Sequence, residues 1–368
     1  MADAPPRVVL VDARKAQHER TGIGRFTLEL LTAMVEQGVP LVALTSTAWP
    51  DLPGIPCRAL RRGPLWHLAA LRQVVRRRGS VYLALGSLIL PALLGRRSGV
   101  MVFDLVPLTH PERQARRAVF FYRVLFRTAV RRARYVFVMT EATRQLVTDR
   151  FRTRTTPVVT SAGVGAAFYA VGDARPDRPD GRAFLYVGTI EPRKNVLLLL
   201  EAFVAAAQPG WTLCLAGKMG WMSEAEQTRF HDLLAASCGR VTWTGFVPDG
   251  ELLELYAASD VFAYPSSAEG FGLPVAEAMA AGLPVVTTAD PSIAEVAGDA
   301  AELLPVTLTP EDLGAALTAV AADPDRRRQM RAAGRARAAA YTWGRTAAAI
   351  SGPLLDRTAD DQPRPGAP

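Results

Sequence analysis

A chain of 368 residues, 49% hydrophobic and 21% charged, is long enough to bury two cores of ordinary size and too mixed for a disordered or fibrous protein. Its three cysteines, Cys57, Cys214 and Cys238, are odd in number and scattered, which argues against a disulfide framework and against a zinc site. The net charge of +8 is unevenly spread: Lys and Arg outnumber Asp and Glu by 28 to 13 through Asp180 and are outnumbered 15 to 22 beyond it.

Strand-like apolar runs occur at 7–11, 41–45, 81–84, 100–103 and 135–139, separated by helical stretches such as 25–36. The first run turns polar at once, so no secretory leader is expected. The longest apolar stretch, 81–94, is interrupted by Gly86 and Pro91 and is too short to span a bilayer. A cytoplasmic location follows. Gly22 and Gly24 form a GxG turn at the opening of the first helix, which suits a phosphate and a plain strand-to-helix turn equally. Asp104 stands at the carboxyl end of the fourth run, and His110 lies in a THPE loop where a structural or solvent-facing role fits as well.

Between 111 and 134 the sequence PERQARRAVFFYRVLFRTAVRRAR spaces Arg116, Arg123, Arg127, Arg131 and Arg134 by 7, 4, 4 and 3. On a helix those intervals put all five on one face, with Phe120 and Val124 elsewhere. Such a face suits an anionic membrane surface, on the inner side of the cell membrane, or an ordinary solvated helix. Nucleic acid is not expected, because the arginines are not interleaved with aromatic platforms and no DNA-binding motif occurs.

A stretch rich in Pro, Gly and charge, 171–182, reads as an interdomain linker. Further strand-like runs follow at 184–187, 212–216, 241–244, 261–264, 285–288 and 302–304. Alternation of this kind predicts an α/β fold of two successive parallel sheets, 1–172 and 173–338, each covered by helices. A last helical stretch with Trp343 occupies 339–356, and the polar, Pro-rich 357–368 is expected to be a disordered tail.

Two segments of the second half carry chemistry. After the run 184–187 comes a Gly188-Thr189 turn, then Arg193, Lys194 and Asn195, the last read as a helix N-cap. A fork-shaped cation and a point charge at a strand's carboxyl end suit a diphosphate. The second segment, AEGFGLPVAEAMAAG at 268–282, sets Glu269 and Glu277 around the turn Gly270, Phe271, Gly272 and Leu273. Pro274 suits the first helical position, Glu277 the opening turn, and Gly282 the helix end. Such a helix start binds anions, whereas carboxylates accept hydrogen bonds from hydroxyls. A basic loop and capping carboxylates would explain either segment alone. Together they point to a nucleotide sugar, with Lys218, after another strand end, as a further phosphate or base contact or a plain surface lysine.

GTIEPRKN at 188–195, GKMGW at 217–221 and EGFGLPVAE at 269–277 resemble the donor site of retaining glycosyltransferases of family 4. TGIGRFT at 21–27, FDLVPLTHPE at 103–112, TEATRQL at 140–146 and ASDVFAYPS at 258–266 extend the likeness, which is nearest to the bacterial mannosyltransferase-like branch that builds O-antigen and other surface polysaccharides. The resemblance implies the GT-B fold, two Rossmann-like parallel-sheet domains facing a central cleft, with 339–356 crossing back to the first. It implies transfer of a hexose, mannose from GDP-mannose in that branch, to a glycan or polyprenyl-linked acceptor with retained configuration. Glu277 would then hold the ribose hydroxyls and Glu269 those of the hexose, while Gly22 and Gly24 approach the diphosphate.

Arg193, Lys194 and the amides from Gly270 to Leu273 would stabilise the leaving group without a metal. No DxD motif lies at a suitable strand end, so no metal or other cofactor is expected, the nucleotide sugar being a co-substrate. One position departs from the family. Where many relatives carry a His before the Asp, this chain has Phe103, leaving Asp104 and then His110 as polar candidates in that wall. A nucleotide-sugar-binding protein that has lost catalysis therefore stays open. A dinucleotide oxidoreductase ranks last, because Thr27 stands where its third glycine belongs.

Overall fold

The computed structural model describes residues 7–18, 22–49, 54–60, 63, 65–77, 79–105, 116–176 and 181–356, without the side chains at 18, 116–119 and 121. They form two compact units, one running to Gly163 and resuming at Thr342, the other spanning Val164 to Tyr341.

The first unit holds seven parallel strands in the order β3-β2-β1-β4-β5-β6-β7. They are β1 (Val9–Asp12), β2 (Leu41–Thr45), β3 (Cys57–Ala59), β4 (Val81–Ala84), β5 (Ser98–Val102), β6 (Tyr135–Val138) and β7 (Val158–Val159). The strands β1, β4, β5 and β6 are fully buried and, apart from Asp12 and Ser98 at strand ends, carry no charged or hydroxyl side chain but those of Tyr82 and Tyr135, as a parallel sheet sandwiched by helices requires. Two strands were not legible: β3 is exposed throughout and β7 is two residues long, so neither needs an apolar run. Helix Ile23–Glu36 covers one face with Phe26, Leu30, Leu31 and Met34, a helical period. Helix Trp343–Leu355 packs beside it, started by the Thr342 hydroxyl accepting from the Arg345 amide.

The second unit holds six parallel strands, β8 (Ala183–Val187), β9 (Thr212–Ala216), β10 (Val241–Gly245), β11 (Val261–Tyr264), β12 (Val285–Thr288) and β13 (Glu302–Leu304), ordered β10-β9-β8-β11-β12-β13. In both sheets the order reverses once, between β1 and β4 and between β8 and β11. Such switch points are where open α/β sheets bind ligands, outside the strands' carboxyl ends.

The expected boundaries move. Residues 164–172 join the second unit, and so do 339–341. Helix Ala166–Ala174 is tied there: the Tyr169 hydroxyl donates to the Ala338 carbonyl at 2.7 Å, and the Arg175 guanidinium donates to the carbonyls of Tyr256, Ser259 and Ala281. The composition of 171–182 thus reads as a linker while half of it is anchored structure; 177–180 and the tail 357–368 lie outside the described residues. No helix among the described residues is long and apolar enough to cross a membrane.

Candidate functional site

The loops leaving β8 and β11 meet at the switch point of the second sheet. After β8 the chain makes a short 3-10 turn, Pro192–Lys194, and Asn195 adopts the left-handed conformation (φ 51°). Asn195 precedes helix Val196–Ala206 but makes no side-chain cap; its amide instead donates to the Pro265 carbonyl at 2.9 Å, tying the two loops together. The Arg193 carbonyl accepts from the Ser267 amide at 2.8 Å, and its guanidinium donates to the Ala268 carbonyl at 2.8 Å.

This knitting brings three expected residues into one cluster. The Glu269 carboxylate pairs with the Arg193 guanidinium at 3.1 Å and with the Lys194 ammonium. It also accepts from the Tyr264 hydroxyl at 2.9 Å and the Ser266 hydroxyl at 2.7 Å. Glu191 holds the other side of Arg193 at 2.7 Å. Burial by itself would push the Glu269 carboxyl up; Lys194 and Arg193, helped by the Ser266 hydroxyl, outweigh it and bring the group down to about 2. For Lys194 burial prevails, and its pKa is lowered despite Glu269. The result is an ionised carboxylate gripped between two cations.

Below the cluster, Asp290 caps helix Pro291–Ala297 by accepting from the amides of Ser292 and Ile293 at 3.0 and 3.1 Å. The Thr287 and Thr288 hydroxyls brace the carbonyls of Tyr264 and Ser266. Sequence reading missed Tyr264, Ser266, Glu191 and Asp290. Tyr264 and Ser266 lie within ASDVFAYPS at a strand's carboxyl end, the position that could have pointed to them.

Gly272 sits at φ 87° before helix Leu273–Ala280, a backbone shape that favours glycine. Pro274 takes the second helical position rather than the first, and Glu277 the second turn rather than the opening one, so the dipole argument for Glu277 weakens. Glu277 is buried, and its carboxylate accepts from the Tyr256 hydroxyl at 3.3 Å. Gly270 is buried, and Phe271 packs edge-on against Tyr341 at 5.4 Å. Leu273 opens the helix half-buried.

Gly188 and Gly217 bring the loops after β8 and β9 into contact. A Cβ on Gly217 would lie 1.9 Å from the Gly188 carbonyl oxygen, so no other residue fits. Lys218 follows, exposed, its ammonium 5.1 Å from the Phe246 ring centre.

In the first unit, Gly22 (φ 54°) precedes helix Ile23–Glu36 and Gly24 is buried in its first turn. Asp104 follows β5 half-buried; burial first, and then the Asp104 charge, push the pKa of the Tyr122 hydroxyl up to about 12. Phe103 packs edge-on against Phe26 at 5.0 Å, a packing role in place of a polar one. His110 lies outside the described residues. The switch point of this sheet carries an unexpected cluster after β1 and β4. The Arg14 guanidinium binds Asp12 through two hydrogen bonds at 2.9 and 2.8 Å and lies 3.6 Å over Trp66, with His67 and Ser87 alongside.

Residues 173–337 match the family described as glycosyl transferases group 1. O-antigen chain mannosyltransferase B of Escherichia coli is 43% identical over 121 residues, 32% of this chain and 31% of that protein. D-inositol 3-phosphate glycosyltransferase of Segniliparus rotundus is 32% identical over 206 residues, 51% of this chain and 44% of that protein. The chain thus spans less than half the length of either relative. Among solved structures, Anabaena HepE in complex with UDP and glucose has a TM-score of 0.73 at 18% identity, covering 95% of this chain and 99% of that one. The fold is the GT-B type, with two Rossmann-like parallel-sheet units.

Proposed function

We propose that this chain, which carries a glycosyl transferases group 1 domain, transfers a hexose from a nucleotide sugar to a bacterial glycan or lipid-linked acceptor. The observation that carries the reading is the convergence of Arg193, Lys194 and Glu269 where the strand order reverses between β8 and β11. The two cations and the turn from Gly270 to Leu273 receive the diphosphate, where their charge counts most as the leaving group gains negative charge. Glu277 accepts from the ribose hydroxyls and Glu269 from those of the hexose. Mannose from GDP-mannose is the favoured donor, because the Escherichia coli relative is named a mannosyltransferase. The sugar-nucleotide class is supported by the UDP and glucose held by HepE.

With cations placed to neutralise the diphosphate, transfer proceeds without a metal. The acceptor hydroxyl attacks the face the nucleotide leaves: the bond from the anomeric carbon to the phosphate oxygen breaks, the new glycosidic bond forms, and the departing phosphate takes the proton. The product keeps the donor's configuration. Incubation with GDP-, UDP- and dTDP-sugars tests this. Release of sugar from one donor, with NMR showing the original anomer in the first product, is expected, and an inverted product would overturn the mechanism.

Phe103 favours one second reading, a protein that binds the nucleotide sugar without transferring it, since a ring packed on Phe26 offers the sugar no polar contact. Donor binding without turnover would establish it.

Membrane attachment belongs to the same reading. On helix Arg116–Arg132 the side chains of Arg123, Arg127 and Arg131 are exposed, and so are Phe120 and Val124, at 63% and 50%. The apolar residues share the exposed face instead of lying elsewhere. Arg134 leaves that face: it follows the helix, and its guanidinium donates to the Tyr135 hydroxyl at 3.1 Å. Exposed arginines interspersed with apolar side chains suit an anionic lipid surface, where a lipid-linked acceptor would be found.

A further inference from the structure

Tyr264 ends β11, and its ring is stacked against two neighbours, Tyr186 of β8 at 5.8 Å and Phe262 at 5.9 Å, with the whole side chain buried. A ring packed in that way has no room to swing, so its hydroxyl is a fixed point at the carboxyl end of the strand. That hydroxyl meets both members of the central ion pair: it is hydrogen-bonded to the Lys194 ammonium and lies 2.9 Å from Glu269 Oε1. An ammonium only donates, so the phenol accepts from Lys194 and gives its single proton to Glu269. Burial, followed by the Glu269 charge, holds the phenol pKa well above its ordinary value, which keeps that proton in place.

Ser266 acts in the same way. Its one proton has two acceptors within reach, Glu269 Oε1 at 2.7 Å and the Arg193 carbonyl at 3.3 Å, and the shorter, charged contact takes it. Oε1 therefore receives three donors, from Lys194, Tyr264 and Ser266. Among the described residues Oε2 has the Arg193 guanidinium alone, at 3.1 Å. The two oxygens of one carboxylate are thus unequal: Oε1 is filled, whereas Oε2 keeps an acceptor site on a side chain that is 10% exposed.

From the hexose transfer proposed for this site, we infer that Tyr264 and Ser266 are positioning residues: by filling Oε1 they hold Glu269 in the orientation in which Oε2 accepts from one hydroxyl of the transferred sugar. A carboxylate that turns freely reads no particular hydroxyl, while one held by fixed donors rejects a sugar that leaves its oxygen unpaired. Lys194 and Arg193 cannot supply that hold by themselves, because an arriving diphosphate draws on the same two cations. The phenol and the Ser266 hydroxyl carry no charge for the diphosphate to attract, so their grip on Oε1 outlasts its arrival.

A cycle between protein and ligand tests this. Calorimetry measures the affinity of the native full chain and of the double variant Tyr264→Phe with Ser266→Ala for GDP-mannose, UDP-glucose and dTDP-glucose, for their monodeoxy forms and for the bare nucleoside diphosphates. In the native protein one monodeoxy form is expected to bind about tenfold or more weakly than its parent, because it leaves Oε2 unpaired. In the double variant that difference is expected to shrink to about twofold, with the single variants, which keep one of the two hydroxyls, in between. Phenylalanine preserves the stacked ring and leaves Lys194 its contact with Glu269, so bare nucleoside diphosphate is expected to bind every variant, which shows that the fold survives. A merely structural role would weaken intact, monodeoxy and bare ligands alike. That result, an undiminished difference in the double variant, or a native protein that ignores every missing hydroxyl would overturn the two positioning roles and leave hexose transfer standing. A native protein that binds none of the three sugar nucleotides would overturn both.

Discussion

Lys194 and Glu269, 75 positions apart in sequence, meet as a buried ion pair at the carboxyl ends of β8 and β11. Glu269 also holds Arg193, so the two partners are not equivalent. Replacing Lys194 by alanine leaves the carboxylate one cation, whereas Glu269→Ala removes the carboxylate that both cations share and leaves Glu191 on Arg193 alone. Breaking a buried pair costs about 3–5 kcal/mol, and Glu269→Ala should fall at the upper end with Lys194→Ala below it. Urea midpoints of the two variants check the order.

The same carboxylate makes stability pH-dependent. Its folded pKa of about 2 lies below the ordinary 4.5, so its contribution is complete above the ordinary value and is lost as pH falls toward 2. The urea midpoint is expected to drop between about pH 5 and pH 2.5, and Glu269→Gln should flatten the curve over that range. An equally steep drop in the variant would assign the acid sensitivity to other groups.

Kinetics should separate the two sides of the site. On the proposed reading Lys194→Ala would remove charge acting on the leaving group, so kcat should fall by about 100-fold or more. Tyr256→Phe removes only the hydroxyl that positions Glu277, a bond worth about 1 kcal/mol, and should raise KM several-fold with kcat nearly unchanged. Equal effects on both constants in both variants would contradict this division.

Two glycines offer a steric comparison. Gly239 has φ 79° with nothing within 4 Å of an added Cβ, so Gly239→Ala should cost only the conformational strain, about 1–2 kcal/mol. Gly217→Ala must push the facing backbones away from each other and should cost more, together with donor affinity, because it separates the loops after β8 and β9. Thermal unfolding and a donor titration on both proteins measure the difference.

For the basic helix, replacing Arg123, Arg127 and Arg131 by glutamine should reduce sedimentation with anionic vesicles, as should raised salt. Neutral vesicles should retain little protein in any case. Recovery that ignores both the substitutions and the salt would remove the membrane from the proposal.

The buried strands were legible because parallel sheets demand unbroken apolar runs, and these runs stand out in any composition. β3 and β7 were not, since edge strands held mainly by backbone bonds leave no side-chain pattern. Arg193, Lys194 and Glu269 could be read from residue type and position at strand ends. Their mutual ion pairing could not, because it depends on β8 and β11 becoming neighbours, a pairing fixed by strand order. Asn195 shows the limit of local rules: its place before a helix suggested a cap, yet its side chain serves a contact 70 positions away. The linker reading of 171–182 did not anticipate the anchoring of its first residues for a related reason, as charge and proline describe solvent exposure and not what Arg175 binds.

The polypeptide enters the second unit after Gly163 and leaves it before Thr342, so the first unit is assembled from both ends of the chain. Cutting the gene at that first junction would not yield two self-sufficient halves. The leading fragment would lack the helix Trp343–Leu355 and leave Phe26 without its Trp343 neighbour, while the trailing fragment would carry an apolar helix with nothing to cover it. Excising 164–341 as one insert, and rejoining the flanks with a short bridge, is the division that respects how the chain is wound.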